Sequence, residues 1–124
     1  MSVVRRLYQA FISRSESMLW NLAGEDMVFH MPGRSRFAGS HRGREQVLGL
    51  FQATGAASGN SIRISLHDIV GNAEHVVGLH RMTGTRDGRT IDQSACIVCH
   101  VRDGALLEVW LWPENVRQFD EFFA

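Results

Sequence analysis

The chain has 124 residues, of which 44% are hydrophobic and 21% charged, as in an ordinary globular domain with one buried core. Thirteen basic residues balance thirteen acidic ones, so no net charge draws the protein to nucleic acid or to an anionic membrane surface. No apolar run reaches the roughly 20 residues of a membrane span. Arg5 and Arg6 interrupt the N-terminal apolar stretch that an export signal would need. We therefore expect a single cytoplasmic domain over residues 1–124 that binds neither nucleic acid nor membranes.

The first part of the chain is patterned mainly for helices. Apolar residues recur at helical spacing over residues 3–13, and Ser15 can cap a second, shorter helix that ends at Gly24. A short strand is expected over residues 27–30. A polar, glycine-containing loop follows over residues 34–43.

The second part is patterned mainly for strands. A third helix is predicted over residues 44–54 and a linker-like turn over 55–60, after which the apolar period changes to two. Strands are expected over 62–66 and 75–85, and two longer strands follow. A terminal helix closes the chain, with an apolar stripe made of Val116, Phe119 and Phe123. This order predicts an α+β fold in which a cone-shaped, curved antiparallel sheet carries the N-terminal helices on its concave face.

The two longer strands form a hairpin whose register decides which side chains face the interior. A two-residue loop at Asp103 and Gly104 would pair Arg102 with Ala105, whereas a G1 bulge at Gly104 would pair Val101 with Ala105. A slip of one residue moves every side chain of a strand to the other face. We predict the bulged register, because its inner face is nearly all apolar: Ile91, Gln93, Ala95, Ile97, Cys99, Leu107, Val109 and Leu111. The tighter loop would place Glu108 on that face instead.

Six short motifs follow one another through the chain: HMPG at 30–33, AG at 38–39, GREQV at 43–47, TGTRDG at 83–88, DGALLEVW at 103–110 and DEFF at 120–123. In order and spacing they resemble the SnoaL-like polyketide cyclases, within the larger fold of nuclear transport factor 2 and the ketosteroid isomerases. The resemblance implies a curved-sheet cone, commonly a homodimer, with an interior apolar pocket. Such proteins include cyclases, isomerases, epoxide hydrolases and non-enzymatic binders, so the fold alone assigns no function.

The resemblance also implies where catalytic groups would stand. The cyclases are expected to carry a His and an Asp two residues apart on the last strand, at the positions of Val109 and Leu111. The general-acid Asp of the isomerases falls at Ile97. Apolar side chains cannot transfer protons, so the sequence departs from each active pattern.

His80 is the best candidate for an ionisable group inside the cone. If the turn at Gly88 pairs Gly84 with Ile91, then His80 shares a face with Met82, Gln93 and Ala95. Desolvation there would lower its pKa and leave a neutral base near pH 7. The competing interpretation is a core histidine hydrogen-bonded to the backbone or to Gln93.

His30, at the end of the first short strand, is the second candidate. At the pocket mouth it would orient a ligand carbonyl or hydroxyl; alternatively it holds the turn at residues 32–33. Phe37 could also belong to a lid. The predicted pocket walls are Trp20, Phe37, Phe51, Met82, Gln93, Ala95, Ile97, Val109 and Leu111.

Asp92 and Glu108 could form an acid/base pair only if both faced the interior of the cone. Both fall on the opposite side of the sheet, here called the outer face, whose other members are Ser94, Cys96, Val98, His100, Trp110 and Trp112. Exposed tryptophans beside aliphatic side chains are typical of interfaces. We therefore predict a homodimer through Val98, Trp110 and Trp112.

Cys96 and Cys99 form a C-x-x-C motif, but odd spacing on a strand points the two thiols to opposite faces. They are expected to be inert thiols rather than a metal or redox site. The histidines show no metal-ligand spacing and no glycine-rich nucleotide loop follows a strand, so neither a metal nor a cofactor is predicted.

Three functions remain open from the sequence. The first is an apolar small-molecule pocket with acid/base chemistry at His80, Gln93 and His30, acting on a polyketide-, steroid- or terpenoid-like compound. The second is a ligand-binding or scaffolding domain without turnover, favoured by the apolar residues at the expected catalytic positions. The third is a dimerisation module with a filled core.

Overall fold

A computed structural model describes residues 2–124; Met1, the first residue of the predicted domain, lies outside the described residues. The elements, in chain order, are α1 Ser2–Ser13, α2 Glu16–Leu22, β1 Ala23–Met31, β2 Gly39–Arg42, α3 Arg44–Ala57, β3 Arg63–Gly71, β4 His75–Arg86, β5 Arg89–Arg102, β6 Ala105–Pro113 and α4 Val116–Phe123.

The six strands form one curved, unclosed sheet in the order β2-β1-β6-β5-β4-β3. The helices α1, α3 and α4 pack against it, which confirms the predicted α+β class and cone-like architecture. The sheet is not wholly antiparallel, because β1 runs parallel to β6. Two parallel neighbouring strands cannot be joined by a tight turn. The connection from β1 to β6 therefore contains β2, α3 and the strands β3 to β5.

The helix boundaries follow local chemistry. The Ser15 side chain caps α2 by accepting a hydrogen bond from the Met18 backbone at 3.2 Å. The third helix is longer than predicted and continues to Ala57, so part of the expected turn is helical. The predicted loop over 34–43 contains the strand β2, which pairs with β1. The polar composition of β2 gave no apolar alternation from which a strand could be predicted.

The β5–β6 turn differs from the predicted one. Asp103 and Gly104 both have positive φ, 52° and 77°, and pair Arg102 with Ala105 in a two-residue loop, because such turns match the twist of the strands. A register shift then follows along β6. This bulge restores the predicted faces, with Leu111 opposite Ile97, so the predicted turn was wrong but the faces of the later residues were right.

The core lies between the inner face of the sheet and the helices. Alternate residues of β5 from Ile91 to Val101 are buried, as strand periodicity requires. In α4 the predicted stripe is partly wrong, because Val116 is 43% exposed while Phe122 is fully buried beside Phe119. None of the helices within residues 2–124 combines the length and the apolar character needed to cross a membrane.

Candidate functional site

A cavity of about 250 Å³ opens between the inner face of the sheet and the helices. Its apolar walls come from α1, α3, α4 and five strands, whereas its polar residues gather near the start of α2 and the end of α3. The lining residues are Phe11, Arg14, Glu16, Phe29, Met31, Phe51, Thr54, Gly55, Ser58, Asn60, Ile62, Ile64, His80, Met82, Ile97, Leu111, Phe119 and Phe123. An apolar cavity with few polar groups is the usual form of a small-molecule site.

His80 is the buried ionisable residue of this wall. Gly84 pairs with Ile91 as predicted, so the side chain of His80 points inward from β4 and is only 5% exposed. Its ring nitrogen Nδ1 lies 2.7 Å from the hydroxyl of Tyr8. Burial in apolar surroundings lowers the pKa of His80 to about 4, so the imidazole is neutral at physiological pH.

Tyr8 is the partner that the sequence did not reveal. It is the single tyrosine of the chain, lies on α1 and is 1% exposed. Burial raises the pKa of its phenol far above the usual value. Helical spacing could have placed Tyr8 on the apolar face of α1, because Tyr8 follows Val4 by four residues and precedes Phe11 by three.

Gly78 makes the contact between helix and sheet possible. It stands two residues before His80 on β4, on the same face. A Cβ atom at this position would overlap the ring and the hydroxyl of Tyr8. The absence of a side chain therefore lets Tyr8 approach the strand closely and reach His80, with ring centroids 5.3 Å apart.

The polar rim of the cavity joins two chain segments. Arg14 and Glu16, at the junction of α1 and α2, are exposed, as is Asn60 beyond α3. The Arg14 guanidinium donates a hydrogen bond to the Asn60 backbone carbonyl. The rim therefore carries exposed charged groups, whereas His80 and Ser58 are buried polar residues of the cavity lining.

The predicted wall residues divide into two sets. Phe51, Met82, Ile97 and Leu111 line the cavity with His80. Trp20, Phe37, Gln93, Ala95 and Val109 do not line it.

Most residues of the second set contact other parts of the structure. The Arg44 guanidinium lies 5.1 Å from the ring of Trp20, and Phe37 packs edge-on against Phe123. Val109 is fully buried in the core, where side chains leave no space for a ligand. Ala95 stands beside His80 on the neighbouring strand, and its single methyl group falls short of the cavity.

Gln93 anchors the terminal helix instead of contacting His80. Its amide donates to the backbone of Asn115 at 3.0 Å and to the side chain of Gln118 at 3.1 Å, and its carbonyl accepts from the Asn115 backbone at 2.8 Å. Both ends of this buried amide are thus satisfied at the start of α4. The expectation that Gln93 serves the pocket is wrong.

His30 lies on the outer face of the sheet and not at the pocket mouth. It is level with Trp110 on β6, and the two rings stack 5.3 Å apart. Its Nδ1 lies 2.9 Å from the Ser40 hydroxyl, and its Nε2 contacts the Glu108 carboxylate. The prediction failed because β1 is longer than expected, and its alternation turns Phe29 and Met31 inward instead.

The other outer-face residues lie where the sequence placed them. Asp92 is exposed and forms a 2.8 Å ion pair with Arg81, so it is no partner for His80. Val98 pairs with Trp110, and the side chain of Trp112 is 55% exposed.

The two cysteines are free thiols, with Cys99 buried and Cys96 partly exposed. Cys99 alternates inward with Ile97, and burial raises its pKa to about 12, so the thiol stays protonated and unreactive. Within residues 2–124 no three His, Cys, Asp or Glu side chains are grouped to hold a metal ion.

Solved structures match the whole architecture. The chain is 33% identical to Bal32a from a soil-derived mobile gene cassette, with a TM-score of 0.94 over 99% of this chain and 95% of that one. A Xanthomonas campestris protein of unknown function with a cystatin-like fold gives a TM-score of 0.95 at 23% identity, over 99% and 96% of the two chains. IdmH from Streptomyces antibioticus, a proposed polyketide cyclase, gives 0.77 at 26% identity, over 95% and 94%.

Sequence relatives extend the same likeness. The uncharacterised protein Mb0035 of Mycobacterium bovis is 27% identical over 125 residues, which cover 100% of this chain and 95% of that protein. The uncharacterised protein Rv0034 of Mycobacterium tuberculosis matches to the same extent. The family model of the SnoaL-like domain matches residues 4–109. The chain belongs to the SnoaL-like family.

Proposed function

We propose that the protein binds a small apolar ring compound in its cavity and acts on it through His80. The observation that carries the proposal is a single buried, neutral imidazole in a wall of aromatic and aliphatic side chains. Such a pocket holds a ligand by apolar contact, and one polar group orients it. Phe11 and Phe51, whose rings stack with centroids 6.1 Å apart, add aromatic surface to this wall.

The reaction proposed is of the isomerase or cyclase type, in which negative charge develops on a ligand oxygen that a hydrogen bond can stabilise. The compound would resemble a polyketide, a steroid or a terpenoid. Support comes from the likeness to IdmH, described as a proposed polyketide cyclase. His80 lies on the buried wall, where its imidazole can form a hydrogen bond with such a ligand.

The test is a thermal-shift screen of the wild type and of His80→Ala against apolar ring compounds. Ligands that bind the folded state raise the melting temperature by mass action, so stabilisation of the wild type that His80→Ala loses is the expected result. His100→Ala, which changes a histidine of the outer face, is the matched control and should respond as the wild type. Absence of any shift with all three proteins would contradict the proposed pocket.

A second candidate is ligand binding without turnover. It is favoured by Ile97 and Leu111, which line the cavity at two of the positions where the family resemblance implies catalytic groups. In this case a compound found in the screen stays chemically unchanged on prolonged incubation with the wild type. Conversion that disappears in His80→Ala would exclude this candidate.

We also propose that the protein is a homodimer through the outer face, around Val98, Trp110 and Trp112. The support is the exposed Trp112 ring beside a half-buried Trp110, since aromatic residues are enriched in interface cores. Light scattering should report a dimer for the wild type and a monomer for Trp112→Glu. Ile12→Glu is the control, because Ile12 is equally exposed, at 56%, but lies on α1.

We propose further that residues 1–124 form one domain that works in the cytoplasm. The two unpaired thiols suit a reducing compartment. Cell fractionation with an antibody against the chain tests the location, and recovery in an exported fraction would contradict it.

A further inference from the structure

The hydrogen bond between Tyr8 and His80 has a direction that chemistry decides. Both groups are neutral, since burial opposes the charged form of each. A phenol hydroxyl is a stronger donor than an imidazole N–H, and an imidazole nitrogen is a stronger acceptor than a phenol oxygen. The 2.7 Å contact is therefore an O–H group of Tyr8 that donates to Nδ1 of His80.

The opposite arrangement would leave a buried donor without an acceptor. If Nδ1 carried the proton, the hydroxyl hydrogen of Tyr8 would need another acceptor, and no second hydrogen bond of this hydroxyl exists within residues 2–124. An unsatisfied buried donor destabilises the folded state. Tyr8 therefore holds His80 in the tautomer whose proton is on Nε2.

The Nε2 atom is the part of the ring left for a ligand. It forms no hydrogen bond to another described residue. Among residues 2–124, the only side-chain nitrogen or oxygen that is both fully buried and without a hydrogen bond is Nε of Arg44. Nε2 of His80 is therefore accessible, and the side chain that carries it lines the cavity.

From this geometry we propose that Tyr8 is a positioning residue that makes His80 a hydrogen-bond donor toward the cavity, so that the ligand is a ring compound with a carbonyl, enolate or phenolate oxygen directed at Nε2. This inference rests on the proposed function of the cavity. The donor would stabilise negative charge that develops on the ligand oxygen. Full proton transfer to the ligand is disfavoured, because it would end in a buried phenolate at Tyr8 or a buried imidazolate at His80.

Two bicyclic probes of similar size test the donor role. 1-Indanone carries a hydrogen-bond acceptor, and indole carries a donor. Wild type should bind 1-indanone about threefold to tenfold more tightly than indole by calorimetry, the gain typical of one neutral hydrogen bond. Equal affinities, or tighter binding of indole, would overturn the inference. If no probe binds, the proposed pocket is contradicted. The spectrum of the free protein then decides which nitrogen of His80 carries the proton.

That spectrum is a long-range ¹H–¹⁵N correlation of the histidine rings, assigned with His80→Gln. We expect Nε2 of His80 to be protonated and Nδ1 unprotonated at pH 7, with or without a ligand. A protonated Nδ1 would overturn the inference whatever the probes do.

Tyr8→Phe removes only the hydroxyl group. Its preference for 1-indanone over indole should fall below about twofold, because Nδ1 is no longer held as an acceptor and either nitrogen can carry the proton. Met82→Leu, which changes another lining residue, should alter the affinity for both probes by the same factor. An unchanged preference in Tyr8→Phe would show that Tyr8 has only a structural role. If Tyr8→Phe does not fold, the wild-type probes and the spectrum still decide.

Discussion

Two histidines on opposite faces of one sheet show how environment sets the behaviour of the same side chain. His80 faces the helices, is 5% exposed and contacts the hydroxyl of Tyr8. His30 faces outward, is half-buried and contacts the carboxylate of Glu108. Burial without a counter-charge keeps the first neutral, whereas the second lies at the surface of the sheet beside a carboxylate.

The two faces also use aromatic residues differently. On the inner side Phe119 is 1% exposed and joins the core to the cavity wall, whereas on the outer side the Trp112 ring is largely in solvent. Aromatic area stabilises the monomer only where folding removes it from water. The inner aromatics therefore support the fold and pocket, and the outer ones are available to a partner.

The largest expected effect comes from truncating an inner aromatic. Phe119→Ala should lower the free energy of unfolding by about 3–5 kcal/mol, through lost burial and the enlarged cavity. Trp112→Ala should change monomer stability by less than about 0.5 kcal/mol, because its ring is already exposed. Urea denaturation at a protein concentration where both variants are monomeric measures the difference. Similar losses for both variants would break the contrast between the faces.

Acid should act through the inner histidine. Between pH 6.5 and about 4 the unfolded chain binds a proton at His80 that the folded chain excludes, so stability falls as the pH drops through this window. The separation corresponds to roughly 3 kcal/mol, complete below about pH 4. Stability curves against pH should be flatter for His80→Gln than for the wild type. Parallel curves for the wild type and His80→Gln would contradict the assignment to burial.

The close approach of α1 to β4 predicts an intermediate effect. Gly78→Ala places a methyl group against Tyr8, and such overpacking typically costs about 1–3 kcal/mol. The displaced phenol should also free Nδ1 of His80, which ring ¹⁵N shifts would report. Gly49→Ala is the control, because a Cβ atom there meets nothing within 4 Å. A variant as stable as the wild type would show that Tyr8 can move without loss.

The smallest effect is expected for an outer-face ion pair. The Arg81 and Asp92 side chains are 56% and 60% exposed, and such pairs contribute roughly 0–1 kcal/mol. Asp92→Asn should therefore leave thermal stability almost unchanged at moderate salt and leave ligand stabilisation intact. Loss of ligand response in this variant would place Asp92 in the functional site and reverse the assignment of faces.

The sequence alone determined the elements with strong periodicity. The helical spacing in α1, the two-residue period in β4 and β5, and the Asp87–Gly88 turn were enough to direct His80 inward and Asp92 outward. These predictions were correct because alternation along a strand depends only on neighbouring residues. Composition and motif order also led to the correct family and fold.

Tertiary structure alone decided the partners and the precise walls. Tyr8 meets His80 across 72 residues because Gly78 leaves room for its ring, and no local pattern encodes such a contact. The length of β1 turned His30 outward, and the bulge in β6 restored faces that the turn by itself would have reversed. Each depends on how strands align in space, where long-range packing outweighs local preference.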